Sequence, residues 1–278
     1  MSQSNCMKVA RVAAVILLTA VMVTGCAGKK KRDNRYIQGS IEYLYNLGYD
    51  LLGSKRYKDS IKVFDEVERQ YPYSVWARRA QLMSAYASYL ANDYAESILT
   101  AQRFLSLHPG NRSAPYAYYL IAVSYYEQIT DVGRDQQSTQ EALDALNDVI
   151  RRFPNSDYAK DAKLKLDLTR DHLAGKEMEV GRFYQSQRNY VAALGRFKNV
   201  IDHYDTTSHV PEALHRLTEV YLAMGLVGEA VRAAATLGYN FPDSSWYRDS
   251  YNLLKAHNLL SPDKAAQLPE AKPQSGHS

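Results

Sequence analysis

The thiol of Cys26 is the one side chain of the stretch Val23 to Cys26 that can take a thioether-linked lipid, and its neighbours suit that chemistry. It follows Val23-Thr24-Gly25, an aliphatic residue and two small ones. Small residues fit a peptidase cleft, and the thiol can accept a thioether-linked diacylglyceryl group. Elsewhere the usual catalytic patterns are missing. There is no glycine-rich phosphate loop, no nucleophile elbow and no helical pair of histidines at metal-ligand spacing. His203, His209 and His215 recur every six residues and straddle a turn, so they read as surface or interface residues. Asp131 and Asp135 flank Gly133 faintly in the manner of a calcium loop, but further acidic ligands are lacking. The expectation is no enzyme, no metal and no cofactor beyond a covalent lipid.

The elements around Cys26 support its acylation. Lys8 and Arg11 bracket a short basic region, and residues 12–23, VAAVILLTAVMV, form an apolar core of signal-peptide length, too short for a comfortable membrane span. With the cysteine that follows, the pattern resembles the lipobox of bacterial lipoproteins. Residues 1–25 are therefore expected to be removed, leaving an N-acyl diacylglyceryl anchor on Cys26. Several acyl chains attach stably, whereas one is marginal. By the same resemblance, Ala27 instead of Asp implies sorting to the outer membrane. Residues 26–37 read as the lipidated N-terminus and a solvated tether, AGKKKRDNR. Loss of Lys8 and Arg11 takes the basic residues from 34 to 32 against 30 acidic ones, a charge of +2, so nucleic acid is not the expected partner. Loss of Cys6 leaves Cys26 alone and rules out an internal disulfide.

Residues 41–74 form a helix–turn–helix unit that fits a tetratricopeptide (TPR) template of about 34 residues. Leu44, Leu47, Leu51, Phe64 and Val67 make an apolar stripe at three- and four-residue spacing, and Gly48 and Ser60 are small where the helices cross. Pro72 ends the second helix. Further copies span 78–111, a third unit from Pro115, 174–207 and 211–244, with a capping helix over 245–259. In the third unit the closing Pro154 arrives eight residues late, which places extra residues in 129–139. Between Asp157 and Gln187 there is no proline, so a long helix can join units three and four. The expected fold is an all-α, right-handed α-solenoid of five TPR-like helix pairs with a C-terminal cap. Residues 38–156 hold the first three pairs, 157–260 the rest, and 261–278 a polar tail expected to be disordered.

The inward positions of the first helices carry Tyr45, Tyr49, Tyr86, Tyr89, Tyr116, Tyr119 and Tyr126. The chain has 23 tyrosines in 278 residues, so some enrichment is expected anywhere. Even so, seven on one surface offer rigid amphipathic area suited to an extended or helical peptide with aromatic side chains. Packing among themselves is the alternative role.

The chain resembles the BamD (ComL-type) outer-membrane assembly lipoproteins over nearly all its mature length. The residues that carry the resemblance are Cys26, Tyr71-Pro72-Tyr73-Ser74, Gly133-Arg134-Asp135-Gln136, the run from Phe153 to Tyr158, and Tyr190-Val191-Ala192-Ala193 with Arg188. Gly181, where the family often has alanine, and Asp205, in place of proline, depart from its pattern. The resemblance implies a non-enzymatic role in folding β-barrel proteins into the outer membrane, facing the periplasm. It implies that the N-terminal repeats bind an aromatic signal near the C-terminus of unfolded barrel proteins. It also implies that the C-terminal repeats dock on the POTRA domain of BamA through Arg188, alongside other assembly lipoproteins. A periplasmic TPR scaffold for cell-envelope or peptidoglycan organisation is the competing reading, and it predicts cell-wall binding without a barrel partner.

Overall fold

The computed structural model describes residues 39–129 and 136–259. Cys26, the tether, Gly133-Arg134-Asp135 and the 261–278 tail lie outside these residues. The described residues form eleven helices and no strand, an all-α TPR solenoid. The pairs are α1 (Ile41–Gly53) with α2 (Tyr57–Gln70), α3 (Val75–Leu90) with α4 (Tyr94–Leu107), and α5 (Ala114–Tyr126) with α6 (Gln137–Arg152). The single helix α7 (Asp157–Ser186) follows, then α8 (Tyr190–His203), α9 (Val210–Ala223), α10 (Val227–Asn240) and α11 (Ser245–Ala256). Each helix packs on the next, and the first helices also touch one another, α1 with α3, α3 with α5 and α5 with α7. The first helices thereby line one shared face.

Local chemistry sets the boundaries. Ser40, Ser74, Ser156 and Ser244 each accept a backbone N–H at a helix start through their side chains, and Asp93 and Asn189 do the same for α4 and α8. Helices α1, α3, α7 and α9 end alike. Lys55, Asn92, Arg188 and Gly225 take a left-handed backbone conformation, and the next residue's amide reaches back to a carbonyl five residues earlier, as in Asn189 N–H to Tyr184 O at 2.9 Å. The turn of the third pair is longer, as expected, but α6 already begins at Gln137. Thr139 is buried, so the stretch placed between the helices gives up its last three residues to α6. Gln137, Ser138 and Thr139 lack apolar periodicity, which hid that turn of helix.

Crossing points are matched in volume. A Cβ at Gly48 would stand 2.7 Å from the Phe64 ring, and one at Gly181 would approach the Phe197 ring closer still. Where the facing residue is smaller, alanine replaces glycine, as in Ala85 with Ala101 and Ala122 with Leu146, all fully buried. Ser60 Oγ donates to Gly48 O at 2.8 Å and ties the first crossing. The departure at Gly181 is thus explained by Phe197.

Helix α7 is 30 residues long and serves two pairs. Its first half buries Ala162 and Leu166 against Ala122, Leu146 and Val149. Its second half buries Ala174 and Met178 against Phe197, Val200 and Leu217.

Candidate functional site

The shared face of the first helices differs between its two ends. At the N-terminal end it is aromatic. Tyr45 lies 4.8 Å from Trp76 and 5.7 Å from Phe64, centroid to centroid. Tyr86 meets Tyr116 edge-on at 6.3 Å, and Tyr158 of α7 sits 5.6 Å from Tyr116 and 5.2 Å from Tyr119. Lys165 lies over Tyr126 at 5.4 Å. Tyr89 turns toward the helix ends, against Tyr94 and within 3.4 Å of Glu127. Tyr49 is 59% exposed. The seven predicted tyrosines therefore form no single cluster. Tyr86, Tyr116 and Tyr119 join Tyr158 in one row, Tyr45 faces Tyr116 across a cleft of about 430 Å³, and Tyr49, Tyr89 and Tyr126 flank them. Most are half-buried, so each ring both packs and offers an edge.

Tyr89, Tyr116 and Tyr119 stay protonated at neutral pH. Burial pushes the Tyr116 hydroxyl well up, and burial with the hydrogen bond to Asp161 does the same for Tyr119, whose Oη donates to Asp161 Oδ2 at 2.6 Å. Burial and Glu127 push Tyr89 up to about 12. Burial alone would raise the Asp161 carboxyl, but bonds from Tyr119 and Lys165 outweigh it and hold that group below its usual range. Tyr116 thus keeps a neutral hydroxyl beside apolar ring faces, while the O–H groups of Tyr119 and Tyr89 are already given to Asp161 and Glu127, and the ring faces suit the aromatic side chains of an extended peptide.

At the C-terminal end the same face is charged and satisfied from within. Arg182 pairs with Glu212 at 3.0 Å, while Arg216 and Gln185 both reach Glu219, at 2.8 and 2.9 Å. Burial would raise the Glu219 carboxyl, but bonds from His215, Gln185 and Arg216 hold it down to about 2. His215 Nδ1 lies 2.8 Å from Ser250 Oγ and its Nε2 lies 3.5 Å from Glu219. This arrangement mimics a hydrolytic triad, yet Ser250 is fully buried, so no substrate reaches it and its role is to pin α11 to α9. His203 and His209 do not join His215, and the described residues contain no group of side chains able to hold a metal.

Arg188 sits on the turn between α7 and α8, exposed and without an ion pair among the described residues. It is held at φ 59°, and its side chain lines an open space with Tyr190, Leu222 and Leu253. A guanidinium flanked by apolar side chains on a firm turn can fork onto a partner's carboxylate.

Sequence reasoning missed Trp76, Tyr158 and Trp246, although a signal existed. Pro72-Tyr73-Ser74-Val75-Trp76, Pro154-Asn155-Ser156-Asp157-Tyr158 and Pro242-Asp243-Ser244-Ser245-Trp246 share one spacing. The serine caps the new helix and the aromatic ring, two residues on, folds back onto Tyr45, Tyr119 or His215 of the preceding pair. None of the described helices is long and apolar enough to cross a membrane.

Residues 38–237 match the YfiO family, described as an outer membrane lipoprotein. The chain is 53% identical over 244 residues to an outer membrane protein assembly factor BamD of Caulobacter vibrioides, covering 87% of this chain and 80% of that one. It is 45% identical over 249 residues to the BamD of Rickettsia prowazekii, covering 90% and 98%. Among solved structures, a thermophilic TPR protein of Thermus thermophilus aligns over 78% of the chain and all of its own, at 20% identity and a TM-score of 0.37. Matched along most of its length to sequences of one kind, the chain belongs to the BamD (YfiO) family of outer membrane protein assembly factors.

Proposed function

We propose that this chain is a non-enzymatic component of the machinery that assembles β-barrel proteins in the outer membrane, held there by an N-acyl diacylglyceryl lipid on Cys26 and facing the periplasm. The likeness to assembly factors along most of the chain carries the reading. A division of parts between the two ends is supported by the face of the first helices. Residues 38–156, with the row from Tyr86 to Tyr119, receive an aromatic-bearing segment of an unfolded barrel protein. Residues 157–260 dock on the POTRA domain of BamA through Arg188. The division is supported by the contrast between the half-exposed aromatic end and the self-paired end, whose charges are already spent on each other.

The test is recovery of the lipidated protein from outer membranes with identification of bound chains. BamA and unfolded barrel proteins are expected, and recovery of cell-wall fragments alone would favour the envelope scaffold instead. Arg188→Glu is expected to reduce co-purification of BamA by about tenfold or more while helicity is unchanged, as befits loss of a charge-assisted fork. Cys26→Ser should release the protein from membranes, read by fractionation.

A further inference from the structure

The second helices α2 and α4 lie side by side and leave an open groove of about 620 Å³ between them, lined by Asp65, Glu68, Pro72, Glu96, Leu99 and Arg103. No residue of a first helix lines it, so it stands apart from the tyrosine row. Its charge is local to this place in the fold. Asp65 follows the crossing residue Phe64, whereas Gln102, Asn147 and Lys198 follow the crossing residues of α4, α6 and α8. Ser84 Oγ donates to Asp65 at 2.8 Å and Thr100 Oγ1 to Glu96 at 3.1 Å, but neither carboxylate has an ion pair among the described residues. The neighbouring cations are taken, Arg103 by Glu68 at 2.7 Å and Arg69 by Glu66. Burial pushes the Asp65 carboxyl up, the charge of Glu96 adds to it, and the Ser84 bond and Arg103 offset the rise only in part.

The groove also has an apolar edge. Leu99 and Leu107 are 60% and 59% exposed and lie two turns apart on one side of α4, with Arg103 between them. At the matching places α2 has Lys62 and Gln70, and α6 has Asp144 and Arg152. A lone exposed leucine is ordinary, but two in a row beside uncancelled carboxylates make a mixed surface of the kind that partners cover. The bond from Arg103 to Glu68 braces α4 against α2, so the groove is formed before anything enters it.

We propose that this groove docks an amphipathic helix of a partner protein, which presents an arginine or lysine to Asp65 and Glu96 and, on the same face, apolar side chains to Leu99 and Leu107. Charge complementarity selects a basic residue, and the leucines select its apolar neighbours. From Glu96 to Leu107 the groove runs about 16 Å, which a helix of about three turns spans. A free metal ion would leave the leucines in water, and an anionic lipid surface would meet carboxylates of its own sign.

The test uses the full lipidated chain in detergent and a labelled, stapled helical peptide of about four turns, with two arginines and then three leucines along one face. Its affinity, read by fluorescence anisotropy, is expected to fall at least about tenfold in Asp65→Asn with Glu96→Gln, and as far in Leu99→Ser with Leu107→Ser, at unchanged helicity. The same peptide with glutamates for arginines should bind the parent no better than the double variants do in the same detergent. Equal affinity of the glutamate peptide, or of either double variant, overturns the proposal, as does a failure of the arginine peptide to bind. A dimer of the parent in sedimentation that Leu99→Ser abolishes would give the groove to a second copy of this chain and overturn the separate partner. Each of these failures leaves the reading of the tyrosine row untouched.

Discussion

Arg188 combines a left-handed backbone with a side chain that has no ion pair among the described residues. Its turn would suit glycine, since a left-handed backbone costs most side chains about 1 kcal/mol, and Gly225 fills the matching place in the next pair. Arg188→Gly is therefore expected to hold or slightly raise the melting temperature while weakening recovery of BamA. A lower melting temperature would mean that the guanidinium has a structural task. Glu219 makes the opposite case, a charge used internally. Its folded carboxyl is depressed to about 2 from an ordinary 4.5, so its stabilisation is complete above about pH 5 and fades as pH falls toward 2. At about 1.4 kcal/mol per pH unit, the drop from 4.5 to about 2 corresponds to about 3.5 kcal/mol, which solvent screening of this half-exposed group lowers to about 2–3 kcal/mol. Urea midpoints should show Glu219→Gln less stable than the parent at pH 7, with the gap narrowing from about pH 4 and closing only below about pH 2. A gap independent of pH would assign the loss to packing. Little of this was legible in advance, because the spacing of Glu212, His215 and Glu219 gives no sign of which charges meet across helices.

At the scale of helices and turns, much more was legible. Gly48, Phe64, Val67 and Pro72 predicted a crossing, a core and a stop, and each is found in that role. The absence of proline between Asp157 and Gln187 placed the long helix. Periodicity missed the start of α6, where polar residues form the first helical turn and Thr139 is buried, and it left Tyr158 without a role because its partners lie on another helix. The volume matching at crossings yields a direct test. Gly181→Ala drives a methyl into the Phe197 ring and is expected to cost about 1–3 kcal/mol. Combining it with Phe197→Leu recreates the pairing of Ala122 with Leu146, so the double variant should be more stable than the sum of the two single losses implies. Chemical denaturation of the four proteins gives the coupling, expected to exceed about 0.5 kcal/mol. Strict additivity would show that the ring moves aside freely.

In the molecule as a whole, helices α1–α6 and α8–α11 meet substantially only through α7, which packs on both groups. In a stack where each unit leans on its neighbours, such a helix sets the geometry between the two groups. Its middle carries Gly175, buried and helical, at the junction of the two packing surfaces. Proline there removes an amide donor and places its ring against the preceding turn, costing about 3 kcal/mol or more locally and bending the helix. Because the cores on either side are separate clusters, Gly175→Pro is expected to leave both groups folded. Hydrogen exchange should show protection lost around 171–179 and kept in α3 and α9. Peptide binding and recovery of BamA should then each survive, while insertion of barrel proteins into vesicles by the reconstituted machinery falls sharply. Normal insertion by a bent α7 would mean that the two ends work independently, and that the helix joins them only as a tether would.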